Sequence, residues 1–527
     1  MPRKPKPKNT LTAGERAAIY EAEQREKLAR MNTDSPSSNK DEPLPDKAKN
    51  DAIGVSQEKN AETASQKGRE AKKKNLPKPQ KAVVKVDLSI PTGEIKPLHG
   101  MCNGPVSYGA DISQLFKDIG VPLVRFDGTD TPISGCAVDI SKIFRNYDAD
   151  PSDESNYDFS LTDKYVTAAR MTGAEIIYRL GESRDLLDPK RRVRRPDDLD
   201  VLARVCVNII RHYNDRWAGG FSLDIKRFEI WSRDTSGEVS LAEDMEIYRR
   251  IANAIKLYDE DLKVGGMDFS GKISEIGEFL RYCKKNRAPL DFLSFDCFAD
   301  TPENAISYVS SVIKSAKNYG EDLELVVGKW AFADVCGNVN EAFSAALSGD
   351  GERNADLRKG IFADRYSLKN AAFSTAFLLG LDSLPDVSAA CAYDAQPAVS
   401  PFCGIADRLG EPVKQYYAFK AYGELYRMKN KVFCESESSD GFAHSGIYAS
   451  AAVSDSEEAL ILISSFDGCG TVDLRLDGIP ENLYTADVYM LDGVKNLENA
   501  TSVALSGVQK RLVLNVSPYG AVMIKLY

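Results

Sequence analysis

Only three histidines occur in 527 residues, His99, His212 and His444, which leaves little room for a His-rich metal site or a Ser-His-Asp triad. Ten cysteines are scattered without a single C-x-x-C pair, which argues against a zinc site or a dense disulfide framework and predicts reduced, mostly buried thiols. No apolar run approaches the roughly 18 residues that span a bilayer, so no transmembrane segment is expected. The start, MPRKPKPKNT, is basic but is not followed by an apolar stretch of the secretory kind; a cytoplasmic protein is expected. No glycine-rich phosphate loop follows any candidate strand, which disfavours dinucleotide binding. Neither a metal nor a cofactor is expected.

What is present divides by charge and texture. The formal net charge of −10 hides an asymmetry. Residues 1–82 hold 19 Lys and Arg against 12 Asp and Glu, and the remainder holds 49 against 66. The folded body is therefore acidic and unsuited to specific nucleic-acid binding. Residues 1–81 are poor in aromatics and rich in Lys, Pro, Ser, Asn and Glu, which predicts a disordered basic tail. Within it Thr12-Ala13-Gly14-Glu15 fits a capping box and predicts a short helix near 12–31. The lysine-rich run Ala71 to Lys81 is the expected contact for an anionic surface or a protein partner.

From residue 82 to 428, short β-rich runs alternate with amphipathic helical patterns. The strand candidates are Leu123–Phe126, Glu175–Leu180, Arg227–Trp231, Lys263–Met267, Phe292–Phe295 and Leu323–Val327. Their spacing predicts a (β/α)8 TIM barrel in the α/β class. Residues 429–527 carry closely spaced strand patterns and predict an antiparallel β-sandwich, with Ala82–Ile90 available to pair with it.

In such a barrel, chemistry gathers where the strands end. Those positions hold Arg125 and Asp127, then Glu182, Arg184 and Asp185. Ser232, Arg233 and Asp234 follow, then Asp268, Asp296, Lys329 and Trp330. This mouth of carboxylates and cations suits a carbohydrate ligand, with Trp330 expected to stack on a pyranose face. Glu182 reads as a sugar-hydroxyl contact or a partner of Arg184. Glu229, within the strand Phe228-Glu229-Ile230, reads as a structural ion-pair partner pointing into the barrel.

Several runs, in order, resemble glycoside hydrolase family 39, the β-xylosidase and α-iduronidase-like enzymes. They are GADISQLFKDIGVPLVRFDG, Leu180-Gly181-Glu182, DFLSFDCFA and FCGIADRLGEPVKQYYAFKAYGEL, and the resemblance covers about Gly100 to Tyr527. It implies an acid/base Glu after Asn at the end of the fourth strand and a nucleophilic Glu before Trp at the end of the seventh. In FEIWSRDTSG the first pair is Ser232-Arg233, and in VVGKW the second position is Lys329. The family's His in the sixth-strand motif is Asp296, and the Tyr two residues on is Phe298.

Retaining hydrolysis needs one protonated and one ionised carboxyl about 5–5.5 Å apart, and neither Arg nor Lys supplies one. Three readings follow. The first is a catalytically degenerate glycosidase that binds a carbohydrate or acts as a scaffold; Arg233 and Lys329 on its floor would favour an anionic sugar. The second is an active O-glycosyl hydrolase with relocated carboxylates, Asp234, Glu238 and Asp296 first, with Asp268 or Asp334 as further partners. The third is a lysine nucleophile at Lys329.

Overall fold

The computed structural model describes residues 81–107, 110–126, 138–182, 197–231, 240–270, 273–318, 323–333, 366–395, 404–407, 409–438, 446–468, 470–480, 485–505 and 510–527. The basic tail and its expected helix lie outside these residues.

Eight parallel strands close into a barrel, each paired to the next and the eighth to the first. In order they are Gly100–Cys102, Leu123–Arg125, Glu175–Leu180, Arg227–Ile230, Lys263–Ser270, Phe292–Ala299, Glu324–Phe332 and Val387–Ala392. The helices between them start where the sequence supplies caps. Asp198 caps Leu199–Asp215, and Ser240 forms a reciprocal capping box with Glu243 at the head of Leu241–Tyr258. Thr301 caps Pro302–Lys317, where a proline sits in the first turn and gives up no hydrogen bond. Each of these helices buries one apolar stripe on the barrel.

The N-terminal ends of the strands are tied by alternating charge. Arg227 pairs with Glu175 at 2.9 Å and Glu324 at 3.6 Å, and Lys263 also contacts Glu324. This charged rim stands at the end of the barrel opposite to its chemistry.

A nine-stranded sheet forms the second lobe. Its strands run in the spatial order Asn496–Ala504, Thr485–Leu491, Ala521–Leu526, Ala459–Ser465, Ile447–Val453, Asn430–Ser438, Lys81–Glu94, Thr471–Asp477 and Arg511–Asn515. An antiparallel sandwich was expected, but the sheet is mixed. Lys81–Asp87 runs parallel to Thr471–Asp477 while pairing antiparallel with Asn430–Ser438. A parallel pair needs a long crossover, and here the connection takes in the whole barrel and three further strands of the sheet. The first strand of the expected barrel segment thus lies in the other lobe, and the barrel itself begins at Gly100.

The central strand Ala459–Ser465 is buried along its whole length. Ile461 and Ile463 join Val84, Val472 and Leu474 in the core of the sheet, whereas Leu460 and Leu462 face the barrel's core. Helix Leu368–Asp382 is pressed between the lobes, which explains why it is buried from Asn370 to Asp382 and apolar on nearly every side. Among the described residues no helix is long and apolar enough to cross a membrane.

Asp382 locks this junction. Its carboxylate meets Lys431 Nζ at 2.6 Å and accepts from the Lys96 backbone N–H at 3.1 Å. Both the acid and much of its partner are withdrawn from water, so removal of one leaves the other uncompensated. We expect Asp382→Ala to lower unfolding stability by about 3 kcal/mol, read as an earlier denaturation midpoint. Arg145→Ala, at a solvent-exposed pair with Asp158, is expected to leave that midpoint within about 0.5 kcal/mol of wild type.

Candidate functional site

Two bulges shape the mouth of the barrel. In the fifth strand the register with the sixth slips between Gly266 and Phe269, and in the seventh it slips between Val327 and Lys329. A bulge inserts an extra residue and re-aims the side chains around it. The slips present Asp268 and Lys329. Asp268 has a left-handed backbone, φ 56°, and its N–H donates to Ser294 Oγ at 3.1 Å. At Gly328 a methyl group would come within 3.4 Å of both the Arg125 guanidinium and Asp268 Oδ1, so the glycine makes room for their contact.

Around these bulges five charged side chains from five strands meet. Arg125 donates through Nε and Nη2 to Glu229 Oε2 at 2.9 and 2.5 Å, and Nη2 also lies 3.1 Å from Asp268 Oδ1. Lys329 Nζ is 2.7 Å from Asp268 Oδ2 and 3.5 Å from Asp296 Oδ2. Arg125 and Glu229 are fully buried, and Asp268 and Asp296 nearly so, while the Lys329 side chain remains 17% exposed. Burial favours the neutral form of Asp268, but Arg125 and Lys329 outweigh it and hold its carboxyl well below the usual range. Glu229 moves the other way, because burial, with some help from Asp268, exceeds the pull of Arg125.

The eighth strand completes this side of the mouth. Tyr393 lies 5.9 Å under the Lys329 ammonium and packs edge-on against Phe298. Asp394 is buried and accepts from Asn103 Nδ2 at 3.2 Å, at the end of the first strand. Asn103 and Trp231, like Asp268, take left-handed backbone where their strands end; for a bulky Trp this conformation is unusual.

A second polar cluster sits behind the third strand. Glu182 accepts from the Ser141 N–H at 2.7 Å and lies 2.6 Å from Ser141 Oγ, while Arg179 bridges Asp139 Oδ1 at 2.7 Å and the Glu182 carbonyl at 3.0 Å. Burial, and then the neighbouring Asp139 charge, push the Glu182 carboxyl up to about 8, so it holds a proton at neutral pH.

The strand-end residues chosen from sequence therefore separate. Arg125, Asp268, Asp296 and Lys329 come together. Glu182 is instead bound to the 139–147 segment, and its carboxyl ties a wall of the mouth in place. Trp330 is a correction. It is fully buried among Phe373, Phe377 and Phe419 on the helix side of the sheet, leaving no face for a pyranose. Lys329 already faces the lumen, and the next residue of a strand points the opposite way. Of the two residues expected to make a cationic floor for an anionic sugar, Lys329 lies against two carboxylates, and Arg233 lies outside the described residues. Asp127, Arg184, Asp185, Ser232, Arg233, Asp234, Glu238 and Asp334 lie outside the described residues.

Sequence reasoning missed Asn103, Tyr393 and Asp394, since neither the first nor the eighth strand was recognised. The other tempting residues have ordinary environments. His99 is kept neutral by burial, beside Tyr422 and Tyr426. His212 bonds Asp163 and the Trp217 carbonyl, both at 2.9 Å. Five of the six described cysteines are buried, and Cys434 is half-buried. Among the described residues no group of three or more His, Cys, Asp or Glu could hold a metal ion.

A family profile, Glycosyl hydrolases family 39, matches residues 188–334, a span that contains the fourth to seventh strands. The chain carries a family 39-like glycoside hydrolase fold. A β-xylosidase of Geobacillus stearothermophilus is 26% identical over 141 residues, and this match spans 26% of each chain. Among solved structures, a glucosidase from Croceicoccus marinus aligns over 85% of this chain and 99% of its own, with TM-score 0.67 and 22% identity. A family 39 enzyme from Xanthomonas axonopodis pv. citri aligns over 85% and 97%, with TM-score 0.59 and 14% identity. The family 39-like fold supports a carbohydrate-related function, and the ion-paired cluster lies at the end of the barrel where such folds do their chemistry.

The proton on Glu182 gives a testable pH dependence. An unfolded Glu titrates near 4.3, so between about 4.3 and the folded value of about 8 the native state alone holds the proton. Glu182 thus stabilises the fold fully below that window, and the contribution is lost as pH rises through it. Unfolding free energy should fall by at most about 1.4 kcal/mol per pH unit from this group. Denaturation of Glu182→Gln across the same pH range should show a shallower fall.

Proposed function

We propose that this protein binds a carbohydrate in a glycosidase-like barrel that has given up retaining hydrolysis. The observation that carries the reading is Lys329. By resemblance it stands where a family 39 enzyme holds its nucleophilic carboxylate, and here an ammonium lies against Asp268 and Asp296. An ammonium in contact with two carboxylates is neither a nucleophilic carboxylate nor a free amine, which argues against the lysine-nucleophile reading too. Arg233, at the acid/base position by the same resemblance, would be equally unable to donate a proton at neutral pH. Burying five linked charges is costly unless each is compensated. Arg125, Glu229, Asp268, Asp296 and Lys329 therefore make a settled floor, over which Tyr393 and Phe298 offer aromatic surface to a sugar ring.

The test is hydrolysis itself. Across a panel of aryl glycosides, including xylosides, glucosides and arabinofuranosides, release of the aryl group should stay at the uncatalysed rate, while some of the corresponding free sugars raise the melting temperature. Robust turnover that Asp296→Asn abolishes would overturn this reading in favour of relocated carboxylates.

A further inference from the structure

Resting on the carbohydrate-binding reading above, we infer that Ser294 is a positioning residue of the sugar site: its hydroxyl fixes the bulge that aims Asp268 at Arg125 and Lys329. The register of the fifth and sixth strands shows why one is needed. Gly266 pairs with Leu293 and Phe269 with Phe295, so Met267 and Asp268 together stand opposite Ser294 alone. A bulge of this kind leaves its extra residue outside the ladder of backbone hydrogen bonds. A buried N–H without a partner is costly. Here the Asp268 N–H finds its partner in a side chain, Ser294 Oγ, at 3.1 Å.

A hydroxyl that accepts one hydrogen bond still has its own proton to give. That of Ser294 acts on Glu229, favouring its ionised form. Arg125 joins the same two acids from the other side, through Glu229 Oε2 and Asp268 Oδ1. The four residues close a ring, and Ser294 is fully buried within it. Side chains alternate along a strand, so Ser294 shares the lumen face with Asp296 and lies one layer below it. Its neighbours Leu293 and Phe295 pack in the core outside the barrel. Ser294 therefore meets no sugar and acts through Asp268. Without the hydroxyl, the left-handed backbone of Asp268, φ 56°, loses the contact that holds it. Binding sites need their side chains held to within about 0.5 Å, and a shifted Asp268 would release Lys329 and disturb the floor beneath the sugar.

The test reads Lys329 and the sugar separately, in the full chain. Acetylation of Lys329 by acetic anhydride, followed by mass spectrometry, reports how firmly Asp268 holds the ammonium, since an opposite charge keeps an amine protonated and unreactive. Ser294→Ala should be acetylated there severalfold faster than wild type. Ser294→Thr, which keeps the hydroxyl, should match wild type, and Ser294→Cys, a poorer acceptor, should fall between. The rise in melting temperature given by xylose, glucose or arabinose should be lost in Ser294→Ala and kept in Ser294→Thr. An unchanged acetylation rate in Ser294→Ala, or in Ser294→Cys where the alanine variant does not fold, would overturn the inference. So would a sugar response that survives in Ser294→Ala, or a folded Ser294→Thr that behaves like the alanine variant. Faster acetylation of Ser294→Ala with no sugar response from wild type would instead overturn the carbohydrate reading and leave Ser294 as the residue that places Asp268.

Discussion

The ammonium of Lys329, held between Asp268 and Asp296, organises the upper half of the barrel. Asp268 connects it to Arg125, and Arg125 to Glu229, so that the second, fourth, fifth, sixth and seventh strands are joined by charge at one level. In water such pairs contribute little. Here most are withdrawn from solvent, and every member depends on the others for its charge to be tolerable. The two bulges and the left-handed backbone at Asp268 are the geometric conditions of that arrangement. Backbone strain of this sort persists where the surrounding structure over-determines it, and the linked charges do so.

The mouth of the barrel treats its acids in opposite ways. Asp268, flanked by a guanidinium and an ammonium, stays ionised despite burial. Glu182, with another acid close by and with Arg179 committed to Asp139 and to a backbone carbonyl, is held as a neutral acid. Environments that push two carboxyls apart are how one scaffold assigns them different work. In this molecule one acid anchors the charged floor and the other fastens a wall, tasks that need no proton to move.

Much of this was legible in the sequence, and the exceptions have physical causes. The second to seventh strands stood out because β-rich runs alternate with capped amphipathic helices. The first strand, Gly100–Cys102, is three residues long, and the eighth, Val387–Ala392, is mostly small residues that also suit a helix. Missing them hid Asn103, Tyr393 and Asp394. Arg125, Asp268, Asp296 and Lys329 were found because charge at the end of a buried strand is costly and therefore informative. Trp330 was misplaced because proximity to the strand end was allowed to outweigh the alternation of side chains. The bulges left no trace in the residue pattern. In the second lobe, Asn430–Ser438 and the polar strand Asn496–Ala504 show no clean alternation, so that part of the chain was legible as a strand-rich region and not strand by strand.

The strand Lys81–Glu94 lies between partners drawn from the far end of the chain, Val83 facing Glu437 on one side and Asp473 on the other. During synthesis it leaves the ribosome before the barrel, and its neighbours leave after it. Until they arrive, a run of alternating valines has both edges open, the condition in which strands find wrong partners. The entropic cost of so long a closure rises only slowly with length, so the difficulty is one of waiting time. A lobe whose other strands all follow the barrel is thus completed by a strand that precedes it, and its folding becomes a check that the barrel between them has been made.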